Sequence, residues 1–335
     1  MINFPNRSRL LGLWLQDHCD IDPASLTPVS GDASFRRYFR VHTGDTSYIV
    51  MDAPPERENT QPFIEITQRL ASAGLNVPRL YAADTERGFL VLHDLGDALY
   101  LHHLDERSVD ALYADAFEAL LKIQSLDPSG LPPYDPTLLM QELTLFRAWF
   151  LERHLNIALN NGENAVLELV FATLIDSALQ QPQVFVHRDY HSRNLLLTPE
   201  NNPGILDYQD AVRGPATYDL LSLLRDSYIS WPEARVQHWA LDYRDRMVAT
   251  GILEPITDET FLRWFDFMGM QRQLKVCGIF ARLYHRDGKP GYLQDIPRTF
   301  RYLQAASARY PETQALHELL GSLDIETRLE NTSPP

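Results

Sequence analysis

Residues 187–194 read HRDYHSRN, inside the longer run VFVHRDYHSRNLLL. Two chemistries fit these residue types. His187 and His191 are four apart and would share one face of a helix, where two imidazoles can hold zinc. Asp189 is followed by four residues and then Asn194. At that spacing a carboxylate can take a hydroxyl proton while the amide holds magnesium during phosphoryl transfer. The flanks decide between the two. VFV and LLL are short β-type runs bracketed by Pro182 and Pro199, so 188–194 is predicted as a loop. In a loop the four-residue histidine spacing loses its geometric meaning, and no third zinc ligand follows in a recognised pattern. Phosphoryl transfer asks for a second metal carboxylate at the end of the next hairpin. GILDYQD supplies Asp207, thirteen residues past Asn194. A carboxylate, an amide oxygen and phosphates are the hard oxygen ligands that magnesium takes.

The surrounding pattern shows what must position these groups. Leu10, Leu11, Trp14 and Leu15 give a short amphipathic helix over 8–18. Residues 34–42 alternate, with Phe35, Phe39 and Val41 on one face and Arg36, Tyr38 and Arg40 on the other. A Thr-Gly-Asp-Thr turn then leads to a returning strand at 47–51. A helix is predicted over 61–73, ended by Gly74, followed by two short strands in VPRLYA and GFLVL. After HDLGD (93–97) the period changes to three or four. Helices are predicted near 109–123, 137–155, 164–180, 218–229, 233–250, 258–283 and 298–308. The expectation is an α+β chain with two lobes. Residues 1–96 form a small antiparallel-sheet lobe, residues 97–335 a mainly helical one, and a ligand cleft lies between them.

Composition narrows the partners. The 335 residues are 44% hydrophobic and 22% charged, as in a folded soluble protein. A formal charge of −15 disfavours nucleic acid and anionic membrane. Cys19 and Cys277 are the only cysteines, which fits a reducing cytoplasm and rules out a cysteine-built metal site. The apolar run LLGLWL is too short for a signal segment and lacks a small-residue cleavage site after it. A small molecule is the expected partner, and no obligate protein partner is evident.

The sequence resembles the aminoglycoside phosphotransferase family, small-molecule relatives of the protein kinases. VHRDYHSRNLLL is similar to that family's catalytic loop, ILDYQDA to its metal loop, FLVLHDLG to its adenine-binding hinge, and GPATYDLLSLL to the helix that follows. SGDASFRRYFRV, YIVMDAPPERENTQPF and MQRQLKVCGIFARL resemble the bacterial subgroup that phosphorylates N-acetylmuramate and N-acetylglucosamine at C1. The resemblance implies a protein-kinase-like fold, ATP and Mg²⁺ as cofactors, and a sugar 1-phosphate product that feeds UDP-sugar synthesis in peptidoglycan recycling.

Carried onto this chain, the resemblance makes Asp189 the catalytic base and Asn194 and Asp207 the metal ligands. The backbone of Leu92, His93, Asp94 and Leu95 would meet adenine. His187 would prop the loop. Tyr190 and His191 would line the sugar pocket or pack against the loop. The phosphate side departs from the kinase pattern. VSGDASF holds a single glycine, leaving Gly31 and Ser34 as phosphate donors. The third-strand lysine is absent, because IVMDA offers Met51 and Asp52 and the chain's three lysines are Lys122, Lys275 and Lys289. Arg36 and Arg40 are the candidate replacements, unless they form a solvated strand edge. A lactyl carboxylate on the sugar asks for a cation, with Arg213, Gln271 and Lys275 as candidates and Arg272 adjacent. The twelve positions from Asp207 to Asp219 leave little room to dock a peptide, so a small acceptor is expected. Rival readings are a kinase of an aminoglycoside, choline or homoserine, and a kinase-like module without catalysis.

Overall fold

The structure, a computed structural model, describes residues 4–29 and 35–332. The chain divides into two compact units, residues 1–103 with 194–210 and residues 104–193 with 211–335.

In the first unit, the alternation around Phe39 and Val41 forms a strand because one face has a core to meet. α1 (Phe4–Cys19) places Leu11, Trp14 and Leu15 against Val41, Val50, Phe89 and Val91, with Trp14 and Phe89 ring centroids 5.7 Å apart. The strands are β1 (Thr27–Pro28), β2 (Arg37–Thr43), β3 (Thr46–Asp52), β4 (Leu80–Asp84) and β5 (Phe89–His93). They form one antiparallel sheet in the order β1-β2-β3-β5-β4. α2 (Gln61–Ser72) buries Phe63, Ile66, Thr67 and Leu70. α3 (Tyr100–His103) closes this segment.

The hairpin 194–210 belongs to this unit. Its rungs are β7 (Leu195–Leu196) and β8 (Gly204–Ile205). Leu197 N–H donates to Ala98 O at 2.7 Å and Ile205 N–H to Asn76 O at 2.8 Å. Tyr208 stacks on Phe63 and shares a 2.8 Å hydrogen bond with Thr67. These bonds join the hairpin to residues 63–98, 99 to 145 positions earlier in the chain.

The second unit is helical. It comprises α4 (Val109–Gln124), α5 (Pro136–Leu145), α6 (Asn161–Leu179), α7 (Tyr218–Leu224), α8 (Glu233–Ala249), α9 (Asp258–Asp287), α10 (Ile296–Ser307), α11 (Gln314–Ser322) and α12 (Ile325–Thr332). It also holds the short antiparallel pair of β6 (Gln183–Val186) and β9 (Val212–Pro215). α5 runs on into a π-helical turn over Phe146–His154, so the single helix predicted for 137–155 changes pitch midway. α9 begins where Thr257 accepts the Thr260 N–H and ends at Gly288, whose φ is +66°. It is buried on nearly every side from Phe265 to Cys277. It passes so close to α5 that a Cβ on Gly278 would lie 2.4 Å from the Leu145 carbonyl carbon. α7 ends at Leu224, five residues short of its prediction, and β9 was not predicted. No helix among the described residues is long and apolar enough to cross a membrane.

Candidate active site

The sequence-predicted residues fall in both units. In the second unit, β6 delivers the chain into the predicted loop. Arg188 takes a left-handed conformation, φ +76°, that a non-glycine residue adopts only where its surroundings hold it. Asp219 at the start of α7 does the holding. Its two carboxylate oxygens accept the His187 N–H at 2.7 Å and the Arg188 N–H at 2.9 Å. Burial pushes the Asp219 carboxyl up to about 7 against those two bonds. His187 is fully buried and its Nδ1 accepts the Asp189 N–H at 3.2 Å.

Burial pushes the Asp189 carboxyl up, but the charges of Lys275, His191, Arg188 and His187 outweigh it. Asp189 is held below the usual carboxylate range. The loop that carries it is therefore shaped to keep an ionised acceptor. Behind the loop lies a network the sequence did not reveal. Glu142 on α5 receives Arg188, Lys275 Nζ at 2.9 Å, Gln271 Nε2 at 3.1 Å and the Tyr134 hydroxyl. Lys275 also donates to the Tyr218 hydroxyl at 2.9 Å. Burial alone would raise Glu142, yet Lys275 and Arg188 bring it down to about 2. Nothing in the spacing of Glu142 marks it, since it is one acidic residue in a helix 47 positions before Asp189.

Several candidates are thereby relocated. Gln271 and Lys275 sit in this buried network because α9 turns them toward α5. Tyr190 is fully buried and donates to Ala116 O at 2.7 Å. Arg213 is exposed on β9, opposite Phe185 of β6. His191 stays partly exposed with its ring edge-on to Tyr228, centroids 5.4 Å apart, and burial holds its pKa down.

In the first unit, the hairpin brings Asn194 and Asp207 together. Asn194 Nδ2 donates to Asp207 Oδ2 at 3.3 Å, and Leu206 N–H donates to Asn194 O at 2.9 Å. Asp207 is left-handed, φ +64°. Gln209 Nε2 donates to Asp207 Oδ1 at 2.8 Å, while its buried Oε1 meets no partner among the described residues. A carboxylate flanked by two amides, one with an unused oxygen, is a donor set that fits a hard divalent cation.

The strand arginines separate. Arg36 lies just before β2 and donates to Glu58 at 3.2 Å. Burial opposes its charge, but Tyr38, Glu58 and Asp207 raise its pKa. Arg40 is tied to Asp94 at 2.6 Å and reaches Asp97 at 3.3 Å, so as a phosphate contact it is already engaged by hinge carboxylates. At the end of β3, where a lysine was expected, Asp52 is fully buried between Arg7 and Arg37. Glu65, the lysine's usual partner, is exposed and bonded to Gln61. Within the hinge, His93 N–H donates to Arg79 O at 2.8 Å, and Leu92 and His93 pair with β3. Asp94 and Leu95 lie beyond the strand, and Leu95 Cδ1 would lie 3.2 Å from a Cβ on Gly204. Gly31 and Ser34 lie outside the described residues.

A model of the phosphotransferase enzyme family matches residues 25–250. The chain belongs to that family. It is 52% identical to the N-acetylmuramate/N-acetylglucosamine kinase of Pseudomonas aeruginosa, covering 95% of this chain and 97% of that protein. It is 48% identical to the enzyme of the same name in Pseudomonas putida, covering 96% and 98%. Among solved structures, choline kinase LicA from Streptococcus pneumoniae superposes with a TM-score of 0.62 at 15% identity, covering 90% of this chain and 99% of that one. ADP-bound aminoglycoside phosphotransferase APH(2'')-Ib gives 0.58 at 15%, covering 88% and 97%. These two share the fold: a small antiparallel sheet followed by a helix-rich region.

Proposed function

We propose that this phosphotransferase is an ATP-dependent kinase that phosphorylates the C1 hydroxyl of N-acetylmuramate and N-acetylglucosamine, yielding sugar 1-phosphates for UDP-sugar synthesis in peptidoglycan recycling. The observation that carries the substrate is the 52% identity, over nearly the whole of both chains, to an enzyme named for those two sugars. The depressed pKa of Asp189 supports the chemistry. Asp189 accepts the C1 hydroxyl proton as the sugar oxygen bonds to the γ-phosphorus and the bond to the departing ADP breaks. Asp219 and His187 fix the loop so that the carboxylate need not reorganise. Asn194 and Asp207 would hold Mg²⁺, which neutralises charge on the phosphate oxygens when bound. Arg36 is the strand cation assigned to phosphate. Asp94 and Leu95 are the hinge residues assigned to adenine.

Incubating the protein with ATP and a panel of amino sugars, aminoglycosides, choline and homoserine tests this. The expected product is a 1-phosphate of both N-acetylated sugars by phosphorus NMR. Phosphate at another hydroxyl, or turnover confined to an amino alcohol, would overturn the reading.

A further inference from the structure

α9 carries Gln271, Arg272 and Lys275 near its centre, and they serve different ends. Gln271 bonds to Glu142, and Lys275, one turn on, does the same. Arg272 stands between them, 6% exposed. Its charge acts on His191 in the catalytic loop, on Asp219 beneath that loop, and on Tyr228, whose ring meets His191. Yet Nε of Arg272 has no acceptor, and Arg272 joins none of the ion pairs among the described residues.

The carboxylates nearby are engaged elsewhere. Asp219 accepts the His187 and Arg188 N–H groups, and Asp226 accepts those of Ser192 and Tyr228. A guanidinium this buried is costly to keep without a counter-charge. Two more polar atoms of the loop share its condition. His191 Nδ1 and Ser192 Oγ are buried with no partner among the described residues. A buried planar cation whose charge reaches His191, next in the chain to Ser192, matches a carboxylate, which a guanidinium can grip with two parallel hydrogen bonds.

We propose that Arg272 recognises a carboxylate on the acceptor, with Ser192 and His191 beside it. For the sugars above, that group is the lactyl carboxylate, which N-acetylmuramate carries and N-acetylglucosamine lacks. This assignment rests on the kinase reading. It also explains why the other cations are unsuitable: Lys275 is held by Glu142, and Arg213 is exposed on β9.

Steady-state kinetics of the wild type, Arg272→Gln and Arg272→Lys test it, with N-acetylmuramate, its methyl ester and N-acetylglucosamine as acceptors. Arg272→Gln should raise KM for N-acetylmuramate roughly 10- to 100-fold and leave N-acetylglucosamine within about threefold. Arg272→Lys should recover part of the loss. The ester should behave in the wild type as the acid does in the Gln variant. Equal losses on both sugars in folded Arg272→Gln would overturn the assignment. So would a wild type that does not distinguish acid from ester, a result independent of whether any variant folds. Turnover of neither sugar by the wild type would instead strike the kinase reading itself.

Discussion

The two units handle their cations differently. In the first, three arginines of α1 and β2 are matched with carboxylates of the same unit: Arg7 and Arg37 with Asp52, and Arg40 with Asp94. Arg36 pairs with Glu58 but also feels Asp207. In the second, Arg188 and Lys275 converge on a single carboxylate, Glu142, and Arg272 meets none among the described residues. A cation already facing a buried carboxylate holds the fold. A cation left in the field of a reactive loop, or of a metal-type carboxylate, is available to a substrate. Counting arginines in a segment cannot make that distinction, because the partners come from elsewhere in the chain.

The comparison can be broken most decisively at Asp189. Asp189→Asn should lower kcat by on the order of 10²- to 10⁴-fold with an unchanged melting curve. Near-normal turnover would remove it as the base. Next comes Glu142, on which Arg188 and Lys275 converge. Glu142→Ala strands Arg188 and Lys275 in a buried site and should destabilise the protein by about 3–5 kcal/mol in denaturant titration. Because the folded Glu142 pKa of about 2 lies below its ordinary value of 4.5, its stabilisation is full above that ordinary value. It is lost as pH falls toward 2, so the variant's acid unfolding should lose that component.

Lys275→Met removes the largest charge that lowers Asp189. The acid limb of kcat should then move to higher pH. An unmoved limb in an active variant would show that Lys275 supports only Glu142. The smallest effects sharpen the first unit. Arg36→Gln should raise KM for ATP by about 10-fold, whereas Arg40→Gln should leave it within about twofold and cost about 1 kcal/mol of stability. Equal KM effects would mean that the hinge pair also touches nucleotide.

The residues proposed for the site lie close together in the sequence. Asp189, Asn194 and Asp207 are set by local spacing within a loop and hairpin, and the hairpin does bring Asn194 within hydrogen-bond reach of Asp207. The β2–β3 hairpin and α2 were legible because their apolar periods face a core. What the sequence did not show is where the long polar side chains find partners. Tyr190 and Arg40 sit where a pocket or phosphate role was reasonable, and each found a partner 74 or 54 residues away. Gln271 and Lys275 were chosen as substrate contacts because nothing local pointed to Glu142, more than 120 residues earlier in the chain.

By itself, then, the sequence determined the chemistry: a carboxylate, an amide and a second carboxylate at fixed intervals between short strands, because those intervals act through the local backbone. The tertiary structure decided which charges are open to that chemistry. It placed the hairpin 194–210 with the sheet and closed Asp52 between two arginines. Along α9 it turned Lys275 toward Glu142 and left Arg272 beside the loop. Those outcomes depend on which helices and strands meet, since a buried charge is stable only against a partner that packing brings to it.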